Sequence, residues 1–339
     1  MTRLRIRSLA IAAALALPPL APSLAQEFKV TLNAPYDGSN AAFFLAEEKG
    51  YYAAEGLKLT MDPSNGSGEV ATRIGSGTYE FGFGDINVLM EFNAKNPDNA
   101  GKAVYMLYYR SPLSVASLAK ARISRASDLN GKKLGGALTD GAYKLFPAYS
   151  ALANVKADSI QWSYGDLRLR ETMLLRDSVD GILGFDSTMY FNLVRQGIAP
   201  SDIKFLYYSD AGLNIYGNAL IASKKMLESN PKAVKGFVAA TAKGWRDAIA
   251  NPAQAVAALK KKSSLIDEKL ETAKLEWLIA NQLITDESKA DGLGGIRDQR
   301  LASSLETVSK AFGLPKIVTP KEVWTAEFLP PAEIRKLPK

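Results

Sequence analysis

Ile74-Gly75-Ser76-Gly77-Thr78-Tyr79-Glu80-Phe81-Gly82-Phe83-Gly84-Asp85 decides how this chain of 339 residues is read. The run closes a polar-faced helix, turns on glycine, and enters an aromatic strand that stops at a carboxylate. Phe81 and Phe83 alternate with glycines, so one face of the strand is bulky and the other is bare backbone, open to a neighbouring backbone or a ligand. In an open parallel sheet, ligands gather beyond the carboxyl ends of the strands. Asp85 stands at such an end. It also precedes the helical run Ile86-Asn87-Val88-Leu89-Met90-Glu91-Phe92, and Asp is a preferred N-cap. The position is compatible with both roles, cap and ligand contact.

Upstream, Phe28 to Leu32 alternates as a strand, Asn33 to Asn40 is rich in turn formers, and Ala41 to Lys49 reads as a helix ended by Gly50. Leu57 to Met61 is a second strand. A strand, helix and strand so closely spaced imply a parallel pair with a right-handed crossover. Asp62-Pro63-Ser64-Asn65-Gly66-Ser67-Gly68 then opens the helix Glu69 to Ile74, and its free amides suit a hydrogen-bond-accepting or anionic group. The loop matches neither the dinucleotide fingerprint nor the phosphate-loop lysine pattern. An ordinary solvent-facing connector is the other reading.

The first 25 residues read as a secretory signal: Arg3, Arg5 and Arg7, an apolar stretch from Leu9 to Leu17, and Ser23-Leu24-Ala25 as the cleavage site, so that the mature chain starts at Gln26. Pro18 and Pro19 break the apolar stretch well short of the roughly 20 residues of a spanning helix. With no Cys there is neither a lipidation cysteine nor a disulfide, which points to a freely soluble protein of a Gram-negative periplasm. The formal charge is +7, three of it from the signal arginines, and the remainder is scattered rather than gathered into a nucleic-acid footprint. The chain also has no His, which excludes Ser-His-Asp and Cys-His nucleophiles and any His or Cys metal site. No metal or cofactor is called for.

Gly50-Tyr51-Tyr52 with Glu55-Gly56-Leu57, then Gly75-Ser76-Gly77 with Tyr79-Glu80-Phe81-Gly82, then Asp128-Leu129-Asn130-Gly131-Lys132-Lys133-Leu134-Gly135, and a late Phe328-Leu329-Pro330 occur in an order that resembles the periplasmic substrate-binding proteins of ABC importers. Within these, the pattern is similar to the NMT1/THI5-like group, which includes binders of pyrimidines, riboflavin, taurine, alkanesulfonates and nitrate. The resemblance covers essentially the whole mature chain. It implies an α/β, two-lobed periplasmic-binding-protein fold of type II, each lobe a mostly parallel sheet flanked by helices, with a two-crossover hinge.

On that frame, residues 1–25 are the signal, 26–111 the first part of lobe 1, 112–212 lobe 2, and 213–339 the remainder of lobe 1, helical with a C-terminal tail. Composition alone supports two apolar strands, Ala103 to Tyr109 and Ser114 to Ala119, broken at Ser111-Pro112; the resemblance makes that breaker an interlobe crossover, and Ser209 to Asn214 the return. Lobe 2 opens with the strand Lys132 to Leu138. Thr139-Asp140-Gly141-Ala142 is its helix-opening loop, the counterpart of Ser64 to Gly68. Asp180-Gly181-Ile182-Leu183-Gly184-Phe185 is a second glycine-punctuated strand, ended by Asp186 as Asp85 ends the first. Later helices span Lys232 to Ala250, with Phe237 and Trp245 on the apolar side, and Glu268 to Leu283, with Trp277.

The candidate ligand contacts follow from strand ends and loop entries. Tyr36, Phe43, Tyr143, Trp162, Tyr164, Phe185 and Tyr216 could sandwich a flat ligand or fill the two cores. Asp85, Asp140 and Asp186 are the charged candidates, and Asn40, Ser64, Asn65, Ser67 and Thr139 the neutral ones, with Gly66 and Gly141 supplying bare backbone. Carboxylates at both lobe edges favour an N–H donor or a cation over a sulfonate or nitrate. The expected function is therefore capture of a small heterocyclic or aromatic molecule, a pyrimidine of the thiamine type being one example. Hinge closure then hands it to an inner-membrane permease and its ATPase, the binder acting as a monomer. A sulfonate, taurine or nitrate binder and a ligand-sensing protein are the alternatives. Asp85 and Asp186 make a glycosidase carboxylate pair arithmetically possible, but the resemblance is to binders. The pyrimidine-making branch of the group draws on a histidine and a cysteine-rich motif that this sequence lacks.

Overall fold

Among the residues described by this computed structural model, 26–338, ten strands form two five-stranded sheets. The signal segment and the cleavage site after Ala25 lie outside that range. The strands are β1 (Gln26–Leu32), β2 (Leu57–Asp62), β3 (Phe81–Asp85), β4 (Lys102–Met106), β5 (Leu113–Leu118), β6 (Lys133–Gly136), β7 (Gln161–Tyr164), β8 (Gly181–Phe185), β9 (Ile203–Tyr207) and β10 (Asn218–Ala222). The sheet orders are β2-β1-β3-β10-β4 and β7-β6-β8-β5-β9. In the first, β1 pairs parallel with β2 and β3, while β10 runs antiparallel between β3 and β4. The second repeats this, with β5 as the reversed strand between β8 and β9. Each reversed strand is the one that arrives directly from the other sheet, so the two crossovers make each sheet mostly parallel with one strand turned.

The aromatic strand β3 is central and buried throughout. Phe81 stacks on Phe237 at 4.2 Å between ring centres, and Phe83 packs against Phe43 at 5.3 Å and Trp245 at 6.4 Å. Phe237 and Trp245 lie on the long helix Pro231–Ala250, on the side expected for them, and both are buried. The bare face of β3 is not open to a ligand. The helix Ser67–Gly75 covers it, and a Cβ on Gly82 would come within 2.8 Å of Val70 Cγ1. The glycines let that helix seat closely on the strand. Among the described residues, no helix is long and apolar enough to cross a membrane.

The crossovers run side by side. Leu107 N and Tyr108 N both donate to Asn218 O, and Gly217 N donates to Tyr108 O at 2.8 Å. The helix Glu268–Leu278 ends in a π-helical turn, Ile279–Leu283, where a continuous helix was expected. Gln282 O in that turn accepts from Tyr109 N and Arg110 N of the first crossover. Such π turns recur where a helix must re-aim a side chain. Here the Gln282 side chain reaches Asp186, the first residue of the helix that follows β8.

Candidate ligand-binding site

The two sheets meet along the loops that open their helices. Gly68 N donates to Thr139 O at 2.8 Å, and the Thr139 hydroxyl donates to Asn65 O. Gly66 has φ of 107°, a conformation that suits glycine, and a Cβ there would stand 2.7 Å from Thr139 O. On the far side of the seam, Trp277 stacks on Tyr190 of the second sheet's layer at 5.1 Å. Trp277 Nε1 and Gln282 Nε2 donate to the Asp186 carboxylate at 3.4 Å and 3.1 Å.

Between these contacts lies a cavity of about 210 Å³, with walls from both lobes. On the first-sheet side, Lys274 is buried and pairs with Asp37 at 3.2 Å and Glu271 at 3.1 Å. Opposite, Arg170 is buried and pairs with Asp140 at 3.1 Å and Glu171 at 3.0 Å. The wall thus sets four buried carboxylates against two cations. Burial pushes Asp140 and Glu271 above the ordinary carboxylate range, although Arg170 and Lys274 pull the other way. Arg168 and Arg195 line the cavity at its exposed rim.

Of the residues expected from sequence, Tyr36, Gly66, Ser67, Asp140, Gly141 and Phe185 come together in this wall. Asn65 and Thr139 make the seam through the backbone of one and the hydroxyl of the other. Asp186 joins the seam as an acceptor. Ser64 is tied inward, its hydroxyl donating to Leu32 O at 2.7 Å. Asn40 is buried in the turn before the helix Ala41–Glu48, its Oδ1 without a partner.

Five aromatics stand away from the cavity. Phe43 belongs to the core around Phe83, because the inward face of its helix packs on the sheet. Tyr216 is buried behind the crossovers, where its hydroxyl donates to Glu287 and Arg300 lies 4.0 Å over its ring. Tyr143, Trp162 and Tyr164 form their own cluster with Phe146 along the β7 edge of the second sheet, with the Tyr143 and Tyr164 hydroxyls 3.2 Å apart. They pack on one another instead of across the seam.

Asp85 is an N-cap. Its Oδ1 accepts from Asn87 N at 2.8 Å and Val88 N at 3.3 Å, and it is not part of the cavity wall. It still lies at the seam, since a Cβ on Gly141 would touch its Cβ at 3.8 Å. Its Oδ2 is buried without a partner, and burial lifts the carboxyl to about 6 against those hydrogen bonds. Burial lifts Asp186 to about 6 as well.

The charged wall residues Asp37, Arg170, Glu171, Glu271 and Lys274 escaped the sequence reading. A signal for two of them exists. Glu271, Lys274, Leu275 and Leu278 share the inward stripe of one helix, and charges on such a stripe are buried only when paired.

A profile of the family described as NMT1/THI5 like matches residues 38–255. The riboflavin-binding protein RibY of Chloroflexus aurantiacus is 27% identical over 218 residues, 63% of this chain and 60% of that relative's length. The alkanesulfonate-binding protein SsuA of Xanthomonas axonopodis pv. citri, solved with bound MOPS, superposes with a TM-score of 0.69 over 90% of this chain and 99% of its own, at 15% identity. The nitrate-binding protein NrtA of Synechocystis PCC 6803 gives 0.67 over 89% and 86%, at 12% identity. These two solved structures share the two-lobed fold.

Proposed function

The chain belongs to the NMT1/THI5-like family, and from that premise we propose that it is the periplasmic solute-binding component of an ABC-type importer, taking a small nitrogen heterocycle with N–H donors. One observation carries the ligand class: the cavity wall sets four buried carboxylates against two cations. Arg168 and Arg195 stand at the exposed rim, where water screens them. A sulfonate or nitrate that passes them meets an excess of buried carboxylates where screening is weak, whereas an N–H donor is stabilised. The room fits this reading. The cavity of about 210 Å³ is far above the ~10–15 Å³ that admits one water and leaves room for a ring. The relative named as riboflavin-binding supports a heterocycle.

In this mechanism the lobes, divided near residues 111 and 212, part about the paired crossovers and admit ligand to one wall. They then close until Gly68 and Thr139, and Asp186 and Gln282, meet. A permease that binds the closed shape more tightly than the open one then selects loaded protein. Thermal denaturation with pyrimidines, flavins, small aromatic acids, taurine, alkanesulfonates and nitrate tests the ligand class, because a ligand bound by the native state alone raises Tm. Heterocycles are expected to raise it. A rise with sulfonates or nitrate and none with heterocycles overturns the assignment.

A further inference from the structure

We infer that Arg170 and Glu171 read one edge of the ligand, and that this edge carries a hydrogen-bond acceptor beside an N–H donor, as a lactam or an aminoazine does. The inference rests on the solute-binding reading above and names the determinant of its specificity.

Arg170 is 3% exposed and Glu171 2% exposed, yet both line the cavity. Arg170 Nε donates to Glu171 Oε1, and Nη1 donates to Asp140 Oδ2 and to Leu183 O at 3.2 Å. Glu171 Oε1 also accepts from Asn192 Nδ2 at 3.3 Å. Two atoms are left over. Arg170 Nη2 and Glu171 Oε2 bond to no described residue, and neither is among the side-chain atoms sealed in the interior without a partner. Both residues line the cavity, which puts one unmet donor and one unmet acceptor on consecutive residues of its wall.

The pair is held in place. Gly184 lies against the guanidinium, where any side chain would collide with it, and the first turn of the helix Arg170–Leu175 fixes both Cα positions. A ligand with two donors on this edge leaves Arg170 Nη2 unmet, and a ligand with only acceptors, such as a sulfonate, sets lone pairs against Glu171 Oε2. Either mismatch leaves a buried polar group without a partner. A ring with C=O beside N–H, or a ring nitrogen beside an exocyclic NH₂, satisfies both atoms at once.

Single-ring fragments isolate that edge. Ligand-observed NMR on the intact mature protein at millimolar fragment concentration compares 2-pyridone with N-methyl-2-pyridone, and 2-aminopyridine with 2-(dimethylamino)pyridine, with methanesulfonate as the acceptor-only probe. Each methylation keeps the ring and removes the N–H, so binding is expected to weaken about tenfold or more, the change for losing a hydrogen bond to a charged group. The two pairs tell lactam from aminoazine. In Glu171→Gln, Arg170 and Asn192 hold the amide oxygen, so the amide nitrogen replaces Oε2 and turns the acceptor into a donor. The N–H fragments then lose about tenfold and the methylated ones change little. If Glu171→Gln fails to fold, the methylation pairs on the unaltered protein decide alone. Equal binding of methylated and unmethylated fragments overturns the inference. Methanesulfonate binding while the fragments do not overturns it too, but leaves the importer reading standing. If neither fragments nor methanesulfonate bind, the inference falls and the small-heterocycle assignment falls with it.

Discussion

Gly68→Ala should separate closure from folding. Gly68 is in the first turn of the helix Ser67–Gly75 and donates to Thr139 O across the seam. A Cβ at this position would stand 2.9 Å from Thr139 O and 3.1 Å from Thr139 Cα, well inside ordinary contact. That overlap exists only when the lobes meet, and overpacking of this kind costs about 1–3 kcal/mol. Alanine also favours the helix over glycine by up to about 1 kcal/mol, but this gain acts equally in open and closed protein and cancels from the affinity. Binding of the tightest compound from the thermal screen is therefore expected to fall about fivefold to a hundredfold, while Tm without ligand holds or rises slightly. Titration calorimetry reads the first quantity and thermal denaturation the second. Small-angle scattering should show the ligand-saturated variant wider than the unaltered protein. Unchanged affinity would refute the seam as a closing contact. A Tm lowered by many degrees would refute it differently, by showing that the two loops are fixed parts of one rigid body.

Three other outcomes follow from the same geometry. Lys274→Met leaves Asp37 and Glu271 buried without their cation, and urea denaturation at neutral pH should show about 3–5 kcal/mol lost. Asp85 and Asp186 are each lifted by burial to about 6, so folded protein takes up protons that the unfolded chain does not. Stability should therefore rise on acidification from pH 7 to 5 by about 1 kcal/mol per carboxylate and be lost as pH climbs back through 6. Asp85→Asn, which keeps a good N-cap, should remove its part of that slope in denaturant titrations at the two pH values. Trp277→Ala removes the ring stacked on Tyr190, a contact of about 0.5–1.5 kcal/mol. Ligand affinity should fall severalfold, with the melting curve of the unliganded protein little changed.

The fold was legible because its signals are local. Period-two apolar runs, glycine after helices and breakers between strands mark β1 to β3 and the repeat of the pattern in lobe 2, whereas the crossovers rest on the family resemblance and not on composition. Boundaries moved where a turn competed with a strand. Lys132 to Leu138 reads as one strand, but β6 stops at Gly136 because Asp140 N bonds back to Ala137 O. The long helix expected from Glu268 to Leu283 splits at Leu278, and only the π turn lets Gln282 bond both the first crossover and Asp186. Nothing in a hydrophobic period announces such a turn.

The site was legible at its loops and hidden at its charges, for one physical reason. Glycine-rich openings such as Asn65-Gly66-Ser67 and Asp140-Gly141 declare themselves by composition, because only small residues let two backbones approach. A charged side chain in isolation looks like surface, since burying it alone is prohibitive. Lys274 is inside only because Asp37, 237 positions away in sequence, is brought to it, and Arg170 only because Asp140 caps a helix 30 positions earlier. The aromatics misled for the converse reason. A ring is stabilised by any apolar contact, and the sheets offered Phe43 and Tyr216 more of it in the interior than a polar cavity could. In a cleft lined by paired charges, what distinguishes a ligand is the polar valence that those pairs leave unspent, and here it is Arg170 Nη2 and Glu171 Oε2 that remain open.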